Sequence, residues 1–501
     1  ETLNTRFDSM RLAPRQHQRR FLALCSRRWS STEASAAPPR VCIVGSGPSG
    51  FYTAKYLLKK DIADVSILDR LPTPYGLVRF GVAPDHQPTK NVMSDFSSTL
   101  EHPRCRFYGN IEVGSDVSVE QLMSAYDAVV LAYGAESDRP LGIPGENLKG
   151  VHSARELVNW YNGHPDHVDG PFPDLVQSAK ECVIIGHGNV AIDCARVLLS
   201  KTKALASSDI CEHALSALRS SSINHVSLVG RRGPAQMAFT IKELREVTRL
   251  DGTTCHVHSQ EIDKGSNEAS LEEISKSRPL KKKFDFIKGF EDPPPSETVG
   301  DSDDSPRMLS VRFFLSPLRV EGEEGRVSGV ECAVTALEGP PGRQKAKDTG
   351  ERVVLPAQLL LTSVGYLSRG MEGVPFDSKR AVVPSKGGRV LTDDSAASVI
   401  PGLYVAGWLK RGPTGIIGTN IPDAKETVNA ICEDLERLSG VSAKESPLDL
   451  QAVASDTGKA LVDTEGWRRI EAIEDDEGKA KGKPREKIVD WQALIKAATS
   501  S

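Results

Sequence analysis

The chain has 501 residues, 39% of them aliphatic, aromatic or cysteine and 26% charged, with 63 Lys and Arg against 67 Asp and Glu. That length exceeds one ordinary domain and suggests two or three, and the composition is that of a globular protein with material for a sizeable core. The net charge of −4 does not suit a general nucleic-acid binder, and no apolar run approaches the roughly 18 residues of a transmembrane helix.

The N-terminal segment, residues 1–39, contains seven arginines (Arg6, Arg11, Arg15, Arg19, Arg20, Arg27, Arg28), no lysine and three acids. An Arg-rich, Ser-containing, acid-poor segment predicts an organelle transit peptide, drawn inward by a membrane potential negative inside; the alternative is a merely disordered N-terminus. Met10 is the expected start of the basic stretch.

Arg40–Val44 predicts a short buried strand. The glycine turn Gly45-Ser46-Gly47-Pro48-Ser49-Gly50 follows, then a helix over 51–59 and a strand over 65–68 that ends at Asp69. The three glycines differ in what they permit. Gly45 allows the tight turn, Gly47 lets backbone approach a pyrophosphate, and Gly50 lets helix and strand pack closely. The helix N-terminus offers N–H groups and a positive dipole end, and Asp69 can accept from ribose hydroxyls. This is a dinucleotide fingerprint of the type that takes FAD. His86 reads either as a proton relay near the flavin, since its unperturbed pKa lies near neutrality, or as a satisfied loop histidine. Ala128–Ala135 predicts the strand that closes this unit.

The pattern then repeats. A strand over 182–185 leads into Gly186-His187-Gly188-Asn189-Val190-Ala191 and a helix over 192–199. Asp193 on that helix either orients His86 or a bound nicotinamide, or is a first-turn acid favouring the helix dipole. The strand over 226–230 ends in Arg231-Arg232, where the first unit has Asp69. Two planar guanidiniums suit a 2′-phosphate and favour NADP over NAD; the alternative is a solvated pair. Residues 200–224 are expected to add helix and loop.

Arg278-Pro279-Leu280-Lys281-Lys282-Lys283 is the densest basic run of the body, either a docking face or a solvated one. Residues 289–308, with six acids and four prolines, predict a disordered loop. Leu359–Tyr366 closes the second unit, and Pro401–Trp408 returns to the first. The expected fold is α/β with two Rossmann-like domains: an FAD unit of 40–140 and 366–501, and an NADP unit of 141–365 inserted in it. Trp467 and Trp491 are expected to pack where the FAD unit closes. The nine cysteines are widely spaced, without C-x-x-C, which argues against a zinc ribbon, an iron–sulfur cluster in this chain or a sequence-local redox disulfide. No metal site is expected.

Gly45–Gly50, Pro74–His86, Gly188–Ala191, Val229–Pro234, Phe239–Glu246, Gly407–Gly415 and Gly482–Lys487 together make the sequence resemble the adrenodoxin-reductase type of ferredoxin–NADP reductase across roughly residues 40–495. The resemblance implies that FAD contacts Ser49, Asp69, Leu77, Val113, Trp408 and the turn Gly415-Ile416-Ile417. It implies that NADP contacts His187, Gly188, Asn189, Val190, Arg231, Arg232, Glu243 and Gly415. Asp69, His187 and Ser49 stand where animal members usually carry Glu, Gln and Ala. The implied activity passes electrons from NADPH through FAD to an acidic [2Fe–2S] ferredoxin, for which Arg278, Lys281, Lys282 and Lys283 are the candidate docking residues. The expected form is a monomer in the mitochondrial matrix, at or near the inner membrane. A flavin-dependent monooxygenase, which also carries two fingerprints, is the competing reading.

Overall fold

The computed structural model describes residues 38–291, 306–392, 398–438 and 447–500. The leader as far as residue 37, and residues 292–305 of the expected 289–308 loop, lie outside the described residues.

The first sheet has eight strands, in the order Ser385–Lys386, Arg389–Leu391, Val399–Val405, Ala128–Leu131, Arg40–Val44, Asp64–Leu68, Cys105–Gly109 and Val462–Asp463. The five central strands pair in parallel. Their apolar runs, such as Val41, Cys42 and Ile43 with no exposed surface, suit a sheet covered on both faces. The second sheet has six strands, Val151–Ser153, Leu359–Thr362, Glu181–Ile185, His225–Val229, Arg307–Arg312 and Thr253–His256, all paired in parallel. Every strand of the second sheet comes from one stretch of chain, whereas the first sheet draws on both sides of that stretch. The second unit is therefore inserted in the first. The two connecting segments pair with each other, Ser137–Asp138 antiparallel to Tyr366–Leu367.

The structure departs from expectation in two places. Arg307 and Met308, assigned to the loop, open the strand Arg307–Arg312. Met308 pairs with His225 and Thr254, and the following Leu309 and Val311 are fully buried, so the sheet claims the chain as soon as the run of acids ends. A three-stranded antiparallel sheet over Leu315–Glu323, Arg326–Glu338 and Lys345–Pro356 was not foreseen from the sequence. Its Val320, Val327, Val330, Cys332 and Leu355 cluster with Val183, Ile185 and Leu360, and so cover one face of the second parallel sheet.

The helix Thr464–Ala480 seats Trp467 in the core of the first unit beside Phe51, Tyr75 and Phe96. Two buried ionic clusters fasten the parts together. Arg79 donates to both oxygens of Glu474, at 2.8 and 2.5 Å. Asp209 of the inserted unit accepts from Lys90 at 2.7 Å and faces Lys487 at 3.2 Å. Among the described residues no helix is long and apolar enough to cross a membrane.

Candidate functional site

Two clefts open where the glycine turns meet the helices. The first, of about 430 Å3, is lined by Gly45, Gly47, Asp69, Leu77 and Val113 among others. The turn has the geometry expected of it. A Cβ on Gly45, whose φ is +106°, would stand 2.6 Å from the Ala132 carbonyl oxygen, and one on Gly50 would stand 2.0 Å from that of Gly45. A Cβ on Gly47 would meet nothing within 4 Å, which leaves open space before the N-terminus of the helix Pro48–Lys59. Ser49 is buried on that helix with its Oγ unpartnered, close against Gly407. Asp69 turns its carboxylate inward: one oxygen accepts from the Ser46 amide at 2.8 Å and hydroxyl at 2.5 Å, the other from the Leu71 amide at 2.9 Å. The acid thus braces the glycine turn while bordering the cleft.

The second cleft, of about 920 Å3, is lined by His187, Gly188, Asn189, Val190, Arg231, Arg232, Gly415 and Ile416. Arg231 and Arg232 stand exposed just beyond the strand His225–Val229. Asn189 accepts the Thr240 amide at 2.9 Å, which ties the second turn to the helix Ile241–Val247. Glu243 lies on that helix, hydrogen-bonded to Thr240, outside both cleft linings. The His187 ring sits between Phe239 and Phe313 and contacts the Leu228 carbonyl at 3.2 Å; the desolvation of the ring pushes its pKa down to about 4. Trp408, expected at the flavin, lines this second cleft, its ring stacked on Tyr366 at 5.6 Å. Ile417 instead packs on the core of the first unit. Arg155 borders both clefts and is fixed to Asp138 of the connecting segment at 2.8 Å.

His86 and Asp193 come together across the boundary of the two units, the His86 Nδ1 lying 3.9 Å from the Asp193 Oδ1. The closer partner of His86 was not foreseen: its Nε2 meets the Glu246 carboxylate at 2.8 Å. Glu246 lay within a family-like string, but nothing local marks a partner 160 residues away. Burial pushes the Asp193 carboxyl up to about 7, with Glu243 and Glu246 adding to it against the pull of His86.

The basic run forms the start of the helix Arg278–Lys288, which packs beside the helix Ile241–Val247. Arg278, Lys281 and Lys282 are exposed. Lys283 departs from its expected docking role: its Nζ donates to the carbonyls of Met237 and Phe239, at 2.7 and 3.1 Å. Helical spacing turns it onto the body, away from its neighbours. The described cysteines are free thiols, and all but Cys432 are buried.

A profile of the family described as pyridine nucleotide-disulphide oxidoreductase matches residues 39–258. The mitochondrial NADPH:adrenodoxin oxidoreductase of Arabidopsis thaliana is 46% identical, over 96% of this chain and 100% of that protein. Its human counterpart is 44% identical over 91% of each. This chain belongs to the NADPH:adrenodoxin oxidoreductase family. The solved structure of Mycobacterium tuberculosis FprA in complex with NADPH is 40% identical, with a TM-score of 0.83, over 92% of this chain and 100% of that one. As a family member the chain is an NADPH-dependent flavoprotein oxidoreductase with FAD and NADP(H) as cofactors. The open space at Gly47, the orphaned Ser49 hydroxyl and the exposed arginine pair fit those two groups.

Proposed function

We propose that this chain passes electrons from NADPH through FAD to an acidic [2Fe–2S] ferredoxin of the adrenodoxin type, in a mitochondrial electron-transfer chain. The arrangement that carries this reading is the pair of clefts bordered in common by Arg155, one floored by an acid-braced glycine turn and the other rimmed by Arg231 and Arg232. Bound FAD supplies the conversion between a two-electron donor and a one-electron acceptor.

The protein's own part is to bind, orient and shield. Gly45, Gly47, Ser49 and Gly50 present the helix N-terminus to a pyrophosphate, with Asp69, Leu77 and Val113 along the same cleft. Gly188, Asn189 and Val190 do the same in the second cleft, and Arg231 and Arg232 grip the 2′-phosphate. His187 and Glu243 shape that turn and its supporting helix. Trp408, Gly415, Ile416 and Ile417 form the wall where the units meet. His86 stands between the carboxylates of Glu246 and Asp193. The domain limits follow, with 40–140 and 366–501 serving FAD and 141–365 serving NADP.

Arg278, Lys281 and Lys282 offer the ferredoxin a basic face on an otherwise acidic chain. The Arg-rich leader directs the protein to the mitochondrial matrix. The test is purification of residues 40–501 with an adrenodoxin-type ferredoxin and cytochrome c. Heat-released flavin should chromatograph as FAD, and NADPH-driven cytochrome c reduction should require the ferredoxin. Release of FMN, or ferredoxin-independent turnover coupled to substrate oxygenation, would overturn the reading.

A further inference from the structure

Arg196 lies one turn beyond Asp193 on the helix Asn189–Leu199 and is 2% exposed. One arm of its guanidinium donates to the Asp193 Oδ1 at 2.7 Å, and another contacts the Asp85 carboxylate of the first unit. Asp85 immediately precedes His86, whose Nδ1 faces the same Asp193 oxygen. Asp85, His86, Asp193 and Arg196 therefore close a ring, two residues from each nucleotide unit.

We propose that Arg196 is a positioning residue of the NADPH-to-flavin site, holding His86 and Asp193 in register across the boundary between the units. Burying a guanidinium is costly unless it is paired in good geometry, and the planar fork of arginine can serve two carboxylates at once where lysine offers a point charge. The other charged groups that face His86 and Asp193 are Glu243, Glu246 and Lys242. Lys242 is largely exposed and stands 3.7 Å from Glu246. The uncharged Tyr161 and Cys194, both buried, and the half-buried Tyr366 also face Asp193. Arg196 is thus the buried cation set among these carboxylates. Its hydrogen bond keeps the Asp193 carboxylate turned toward His86. Four residues past His86, Lys90 anchors the same segment independently to Asp209, so loss of the Arg196 contact need not detach it.

This inference rests on the function proposed above, and its test separates the two. In each variant, anaerobic bleaching of the flavin by NADPH and the flavin difference spectrum on NADP+ binding are followed across pH. Failure of NADPH to bleach the wild-type flavin would sink the functional reading. Given bleaching, Arg196→Met should keep its FAD and move the pH midpoint of both signals upward by about one unit or more, since removing a nearby cation lets the Asp193 carboxyl hold its proton longer. Arg196→Lys should move it less. Asp85→Asn removes an anion and should move it downward, which keeps the proposal testable if Arg196→Met does not fold. A merely structural role would lower the melting temperature and leave the midpoints alone. Midpoints that coincide with the wild type in any folded variant of this set overturn the proposal.

Discussion

Gly230 is a sensitive point of the second cleft, the proposed NADP site. Its Cα faces the His187 ring so closely that an added Cβ would lie 2.3 Å from Nδ1, 2.4 Å from Cε1 and 2.9 Å from Cγ. The ring has no simple retreat, with Phe239 at 5.7 Å, Phe313 at 5.0 Å and the Leu228 carbonyl on its Nε2. Gly230→Ala must therefore displace His187 by about 1 Å toward ordinary contact distance, an overpacking cost of about 1–3 kcal/mol. The His187 carbonyl also accepts the amides of Ala238 and Phe239, at 3.0 and 2.9 Å. The shift thus reaches the segment that carries Thr240. If most of the strain falls on the NADP site, affinity drops about 5- to 150-fold, at 1.4 kcal/mol per decade. The assay is NADP+ titration followed by the flavin spectrum, with flavin content measured in parallel. Affinity should fall, FAD should stay bound, and Gly230→Ala/His187→Ala should regain affinity by giving the methyl room. Unchanged affinity in the single variant, or no recovery in the double, refutes the reasoning.

Three further outcomes follow from the same structure. Arg231→Gln/Arg232→Gln should lower kcat/KM for NADPH by about two to four decades and leave NADH nearly untouched, since two charge-assisted contacts are lost; equal losses with both coenzymes would make the pair structural. Asp209→Asn strands two buried lysines and should cost about 3–5 kcal/mol in thermal unfolding. Burial alone would raise the Asp209 carboxyl, but Lys487 and Lys90 outweigh it and hold it down at about 2. With the folded value below the unfolded one near 3.9, this stabilisation is present above about pH 4 and lost as pH falls toward 2, so the variant and wild type should converge there. Lys281→Glu/Lys282→Glu should raise KM for the ferredoxin, most at low salt where screening within about 10 Å is weakest, and spare ferricyanide reduction; an unaltered salt profile would move docking elsewhere.

What was legible in the sequence was local. The two glycine turns were readable because spacing alone assigns a clash, an open approach and a close packing to three positions, and Gly45, Gly47 and Gly50 divide that way in space. The insertion of one unit in the other followed from Pro401–Trp408, a strand that returns to the first unit after Leu359–Tyr366 has closed the second. Couplings between distant segments were not legible. Glu246 reaches His86 from 160 residues away, and Glu474 reaches Arg79 from 395. Arg196 lay in plain view on a helix, but its use depends on Asp85, which belongs to the other unit. Lys283 read as one more charge in a run, because the run alone does not say which lysine the helix turns inward. The antiparallel sheet over 315–356 escaped because its buried side chains gain a core only against the second parallel sheet.

The central claim is that electrons enter as a pair from NADPH and leave singly to a ferredoxin. Residues 40–501 with bound flavin, mixed anaerobically with NADPH and then with an oxidised [2Fe–2S] ferredoxin, test it most directly. One NADPH should bleach one flavin, and the colour should return as two ferredoxins are reduced, faster at low salt than at high. A flavin that NADPH bleaches but that ferredoxin fails to reoxidise, while oxygen does so with oxygenation of a small molecule, would contradict it.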